Sequence, residues 1–294
     1  HFMFANERKL FPEVDHHTTF SLNVYGGPQQ TVSFDTICNL YDANSILECY
    51  EGDALLPIPG IKDADGNWNT QGHPKRIVHV TPKELKTFAS IFEDNGSWKQ
   101  AKLPSLHEMT QIEVLERFAA HEITIGSLKS VATTKMWDET NSQKNGILKA
   151  NISFPKSPID TIFVGAYCSL GNPYFQTVRR KYINNSDYDT IDLTTLPASY
   201  APRAKYAIAC SRDEFVKRIP DTPWGTKINA GYMLVNREFV GTMSERTLIG
   251  CLLPPQTTFL YTLFGTSLQD EKVMASLCAC ENSLPYDFLV KVLG

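Results

Sequence analysis

Long apolar runs are what this chain most plainly lacks. Among its 294 residues the longest, 248–264, is broken by Pro254, Pro255 and Gln256, while a membrane-crossing helix needs about 20 consecutive apolar residues. The N-terminal end shows neither a basic segment nor a cleavable apolar one, so no secretory leader is read there. A soluble, cytoplasmic protein without a membrane partner is expected. Strong charge of one sign is missing too: 28 Lys and Arg against 32 Asp and Glu leave a formal net charge of −4, which argues against a wholly basic nucleic-acid binder. The seven cysteines are scattered through apolar surroundings, and the closest pair, Cys278 and Cys280, lacks the two-residue spacer common in zinc sites. Reduced core thiols are expected, because a free cysteine behaves mainly as a small hydrophobe. No ligand repeat supports a metal at His16 and His17, whose close carboxylates in sequence are Glu13 and Asp15; a turn or surface pair is expected.

Catalytic signatures are equally scarce. No Gly-x-Ser-x-Gly elbow is present, so nucleophilic catalysis has no marker. A metal nuclease would need a carboxylate pair and a lysine on neighbouring strands. The nearest pieces, Asp270-Glu271-Lys272 and Glu214 with Lys217, fall in expected helices.

What is present is ample apolar content, 42% of residues, enough for one large or two smaller domains at this length. Charge is unevenly spread. Residues 1–170 hold 15 Lys and Arg and 20 Asp and Glu, residues 171–250 hold 11 and 8, and the remainder 2 and 4. The basic excess is confined to one region.

The sequence opens inside a strand pattern without a starting methionine, which reads as a piece of a longer chain with His1 as a tag remnant. Alternation over 18–25 suggests a strand ended by Gly26-Gly27-Pro28. Residues 60–74, rich in Gly, Asp and Asn, read as an exposed loop near a domain boundary. Thr81-Pro82-Lys83-Glu84 joins an N-cap, a first-turn proline and a capping-box glutamate, starting a helix to about Glu93. A second box at 105–108 is expected to start a helix with Met109, Ile112, Leu115 and Phe118 facing the core. Strands are expected at 123–126, 133–137 and 147–154, the last two forming a hairpin across a loop ending in Asn145-Gly146. Further strands are expected at 161–167, 204–210, 232–240 and 246–253. Ser211 caps a short helix, and Ser267 is read as opening a final helix to Glu281. The mixture is α+β: mixed, mostly antiparallel sheets with inserted helices.

One stretch, GNPYFQTVRRKY (171–182), sets two chemistries side by side. Amino-directed DNA methyltransferases use an Asn/Asp-Pro-Pro-aromatic tetrapeptide, in which a polar side chain and a carbonyl accept from the target amino group while the ring stacks on the flipped base. Asn172-Pro173-Tyr174 lacks the second proline, and no cofactor glycine loop stands upstream. A structural turn is the favoured reading of Gly171-Asn172-Pro173. Arg179, Arg180 and Lys181 are adjacent, so they cannot all face one way on a regular element, but at a turn they can fan around phosphates. Tyr174, Phe175 and Tyr182 flank them, and rings beside arginine can stack on bases or hold a guanidinium. The cluster could equally be a solvated one pairing with Asp187, Asp189 or Asp192.

Five segments taken in order resemble one family: FANERKLFPEVDHHTTFSL (4–22), MWDETNSQKNGI (136–147), GNPYFQTVRRKY with YDTIDLTTLPASYAPRAKY (171–206), YMLVNREFVGTMSERTLIGCLLPP (232–255) and NSLPYDFLVKVLG (282–294). The family is the large adenine-specific DNA methyltransferases of single-chain (type IIG or IIL) restriction-modification enzymes, with related phage-defence methyltransferases of the DISARM and BREX kind. The resemblance implies that residues 1–59 are the last strands of a truncated methyltransferase domain with a connector, and 75–294 a target-recognition domain that grips double-stranded DNA. It implies that the catalytic and S-adenosylmethionine motifs lie upstream, in the rest of the parent chain. No cofactor is then expected in this piece, and its own enzymatic activity stays open. On that reading Arg179, Arg180, Lys181 and Tyr182 lead as DNA contacts, followed by Arg203 and Lys205, then Arg237 and Arg246. Arg246 could instead satisfy a buried carboxylate or carbonyl. The alternative function is a protein-interaction module of a defence complex without direct DNA contact.

Overall fold

The computed structural model describes residues 1–93, 97–197, 199–239, 241 and 244–293. Its contacts divide the chain into two compact units, residues 1–122 with 289–294, and residues 123–288. The fold is α+β, with mostly antiparallel sheets. Among the described residues no helix is long and apolar enough to cross a membrane.

The first unit contains β1 (Phe2–Ala5), β2 (Thr19–Leu22), β3 (Phe34–Leu40), α1 (Asn44–Glu51), β4 (Val78–Val80), α2 (Pro82–Phe92) and α3 (Gln111–Ala119). Its sheet runs β2-β1-β3-β4, with β1 parallel to β3 and the other pairs antiparallel. Phe4, Ile37, Leu40 and Cys49 form its core, and Phe20 stacks on Phe4 at 5.3 Å. Helix α2 starts as its sequence dictates. Thr81 accepts from the Lys83 amide at 3.2 Å while Glu84 accepts from the Thr81 amide at 2.9 Å, so two donors that a helix start leaves orphaned are satisfied.

The loop 60–74 lies inside this unit, so the division between compact units falls well after it. Arg76, 1% exposed, donates to the carbonyls of Gln71, Cys38 and Asn39 at 2.7, 2.9 and 3.0 Å, tying the loop to the end of β3. Burial lowers its pKa, but the three carbonyl partners compensate much of the cost of removing a guanidinium from water. His107 is buried nearby and bonds the Pro59 carbonyl at 2.7 Å.

The second unit contains β5 (Val131–Thr134), α4 (Glu139–Lys144), β6 (Leu148–Ser153), β7 (Ile162–Phe163), β8 (Gln176–Val178), β9 (Tyr188–Thr190), β10 (Ala204–Ile208), α5 (Arg212–Arg218), β11 (Met233–Arg237), β12 (Gly250–Leu253), β13 (Thr258–Phe259), β14 (Leu263–Leu268) and α6 (Glu271–Glu281). Helix α7 (Leu284–Lys291) follows. The main sheet runs β12-β11-β14-β5 and is antiparallel throughout. Strand β11 is apolar on both faces because both are covered. Met233 and Val235 join the core around Phe163, Phe215 and Phe259, while Leu234 groups with Met274 and Leu277 of α6. Gly265 permits the closest approach in this core, since a Cβ there would lie 2.5 Å from Phe259 Cζ. Three two-stranded pairs complete the unit: β10 with β6, β13 with β7, and β8 with β9.

Several local expectations are corrected. The strands at 133–137 and 147–154 do not form a hairpin: β5 pairs with β14 and β6 with β10. Between them Asp138 accepts from the Asn141 amide at 2.7 Å and caps α4, which ends before Gly146 at φ 65°. The Asn-Gly pair therefore terminates a helix rather than turning a hairpin. The box at 105–108 does not form, and α3 starts six residues after Ser105, at Gln111. Leu115 is its one buried residue and Met109 is 45% exposed. Residues 125–127 form a short 3-10 turn instead of a strand. Ser267 sits in β14, and Asp270 caps α6. The expected strand 161–167 shortens to Ile162–Phe163, followed by a 3-10 turn. Val240, at the end of the expected strand 232–240, lies outside the described residues, as do Ala198, Thr242, Met243 and Gly294 of the quoted segments.

Candidate nucleic-acid interface

The cation cluster sits on the loop 179–187 that joins β8 to β9. The antiparallel register pairs Val178 with Tyr188 and Thr177 with Asp189, so both ends of the loop are held by the ladder. The Arg179 amide donates to the Asp187 carbonyl at 3.0 Å. Asp187 accepts from the amides of Ile183 and Asn184 at 2.7 Å each, and backbone donors led by that of Asn184 lower its pKa. A nine-residue connection is thus ordered by its own backbone.

The eight residues singled out from sequence separate into three groups. Arg179, Arg203 and Arg246 are engaged internally. Arg179 Nε donates to Asp189 at 3.0 Å, and Arg203 Nη2 donates to the other oxygen of the same carboxylate at 2.6 Å. Arg203 Nε also donates to the Val178 carbonyl at 2.7 Å, and its backbone meets Thr177 and Tyr167. These bonds brace the hairpin against β10. Arg246 donates to the carbonyls of Asn282 and Ser283, just past α6, at 2.9 and 3.3 Å, and lies 3.5 Å from Asp287. It takes the role of satisfying two partly buried carbonyls and a buried carboxylate.

Arg180 and Lys181 form the second group. Both are exposed, and neither side chain has a hydrogen bond or ion pair among the described residues. Tyr182, Lys205 and Arg237 form the third, and they line one cavity of about 300 Å³ together with Glu139, Tyr188 and Tyr261. Lys205 Nζ lies 3.0 Å from the Tyr182 hydroxyl and 4.3 Å from its ring centre, while that hydroxyl donates to Asn185 at 2.7 Å. Tyr182 meets Tyr188 edge to face at 5.9 Å. Burial raises the pKa of Tyr188 and Tyr206 above the ordinary phenol value. Tyr206 spends its proton on Glu139. The Arg237 side chain has no polar partner among the described residues, though it is only half-exposed.

No family model, curated protein or solved structure matches the chain. The chemistry of this site therefore rests on its own geometry. It combines two free cations at a hairpin end with a cavity holding two more, one carboxylate and several rings. Cations of this kind neutralise phosphates, and rings of this kind stack on bases. Asn172, by contrast, is occupied in a turn: its side-chain oxygen accepts from the Tyr174 amide at 2.8 Å, after Gly171 at φ 68°.

Sequence reasoning missed Glu139, Tyr188 and Tyr261 as cavity residues and Asp189 as the shared partner of two arginines. Asp189 stood among the possible partners of the cluster. Its choice depends on β8 and β9 pairing, which turns Arg179 and Asp189 toward each other.

Proposed function

We propose that this chain is the DNA-binding, target-recognition part of a site-specific DNA adenine methyltransferase of a restriction-modification or phage-defence system. On this reading its catalytic and S-adenosylmethionine motifs lie elsewhere in the parent chain, its partner is double-stranded DNA, and it works in the cytoplasm. The observation that carries the proposal is the pair Arg180 and Lys181, exposed and without a partner among the described residues, on a hairpin whose neighbouring arginines are engaged internally. A charged pair held free on a braced loop meets phosphate without first breaking an internal bond. Lys205, Arg237 and Tyr182 extend the cationic and aromatic surface into the cavity. The sequence resemblance supplies the reaction class.

Binding of a labelled duplex, followed by fluorescence anisotropy, tests it. Reversing both charges (Arg180→Glu with Lys181→Glu) is expected to weaken binding about tenfold or more, a loss of about 1.4 kcal/mol or more. Reversing two exposed lysines of the first unit, Lys86 and Lys102, is expected to change affinity by about twofold at most. Equal effects of the two pairs, or no duplex binding by the intact chain, would contradict the proposal and favour a protein-interaction module. The chain alone is expected not to bind S-adenosylmethionine, which equilibrium dialysis checks.

A further inference from the structure

We infer that Glu7, His16 and His17 form a binding site for one divalent transition-metal ion of the zinc type. One donor atom from each residue lies within 4.8 Å of the other two. Glu7 Oε1 and His17 Nδ1 are 3.3 Å apart, which matches the roughly 3.3 Å edge of a tetrahedron with bonds of about 2.0 Å. The His16 ring packs on His17 with centres 3.7 Å apart. Bringing the widest pair to that edge takes a shift of at most about 1.5 Å, within reach of side-chain rotation. One carboxylate with two imidazoles is a donor set suited to zinc and its neighbours, unlike the all-oxygen sets that calcium and magnesium require.

Two features beyond proximity point to a ligand. The first is the loop. Asn6, 0% exposed, donates to the carbonyls of Phe11 and Val14 at 3.0 Å each and accepts from the Phe11 amide at 2.9 Å, folding the chain back on itself. Asp15 accepts from the His17 amide at 2.8 Å, and the Asn6 amide closes the loop on Thr18 at 2.9 Å. The backbone that carries all three donors is therefore set before an ion arrives. This fold-back brings Glu7 to the histidines, where sequence proximity offered Glu13 and Asp15.

The second is Glu7 itself. Its side chain is 8% exposed, yet its one ion-pair or hydrogen-bond partner among the described residues is His17, which is 69% exposed. A shielded carboxylate ordinarily gathers a cation or several donors to offset lost hydration. A bound dication would provide that compensation, leaving further coordination positions to water.

Zn²⁺ titrated into the chain at neutral pH, in competition with a chromophoric chelator, tests the inference. One tight equivalent is expected, weakened about tenfold or more by Glu7→Gln and by the pair His16→Asn with His17→Asn. His79→Asn serves as the control, because it removes an exposed histidine–carboxylate pair elsewhere in the unit, 2.9 Å from Asp35, and should leave zinc affinity unchanged. Because both histidines lie in a surface loop, the double variant should melt at the wild-type temperature without zinc while losing the zinc-dependent rise. Tight binding that survives the double variant, wild-type binding only at millimolar zinc, or an equal loss in the control would overturn the site.

Discussion

The two units use their cations differently. In the first, Arg76 spends its guanidinium on three main-chain carbonyls and holds a long loop in place. In the second, Arg179 and Arg203 share Asp189, while Arg180 and Lys181 next to them have no partner among the described residues. Structural cations and available ones are distinguished by where their donors point. A guanidinium whose donors converge on protein oxygens contributes to folding, whereas one held in place by neighbouring bonds yet unpaired itself is poised for an outside anion.

The largest effect should come from Arg76→Met. It leaves the Gln71, Cys38 and Asn39 carbonyls without their donor and is expected to cost about 3 kcal/mol or more. Urea denaturation with hydrogen exchange should place the loss in the first unit, with the amides of β11 and β14 unaffected. Equal loosening of both units would break the comparison.

Next comes a pH effect confined to the first unit. Burial, followed by the nearby Arg76 charge, pushes the His107 pKa from 6.5 down to about 4. The unfolded chain takes up this proton near pH 6.5 and the folded chain does not until about pH 4. Stability is therefore intact above 6.5 and falls as pH drops through the window, by at most about 1.4 kcal/mol per pH unit. His107→Gln, which can keep a donor to Pro59, should flatten that slope; an unchanged slope would show that other groups cause it.

Arg203→Met comes third. It strips the Val178 carbonyl and one Asp189 oxygen of donors, and a cost of about 2 kcal/mol is expected, with faster exchange of the 179–187 amides. Normal exchange there would mean that Arg203 does not brace the hairpin. The smallest effect is Glu281→Gln. Burial raises the pKa of Glu281, although its bond from Asn236 at 2.7 Å opposes the shift. The folded carboxyl keeps its proton to higher pH than the unfolded one, so stability declines as pH rises through that window. The neutral amide should avoid the decline and gain about 1 kcal/mol or less at neutral pH, read as a higher melting temperature.

How far these features were legible depends on how local their causes are. Helix α2 was readable because Thr81, Pro82 and Glu84 act within one turn. The true start of α6 was missed although Asp270 is as good a cap as Ser267, because β14 extends through Leu268 and claims the serine. Strands β5 and β6 were recognised as segments, yet their partners lie far along the chain, and nothing in 145–146 separates a helix end from a hairpin turn. The cation cluster was legible as a cluster. Which of its members remain available was not, because Asp189 reaches Arg179 only after the hairpin closes, and Arg203 only through β10.

The salt dependence of duplex binding reports whether Arg180 and Lys181 meet phosphates. Log affinity plotted against log salt concentration should fall linearly for the intact chain, and the slope should flatten by about two when Arg180 and Lys181 are reversed, roughly one unit for each phosphate no longer neutralised. Affinity that ignores salt, or a slope that the double reversal leaves unchanged, would contradict the account.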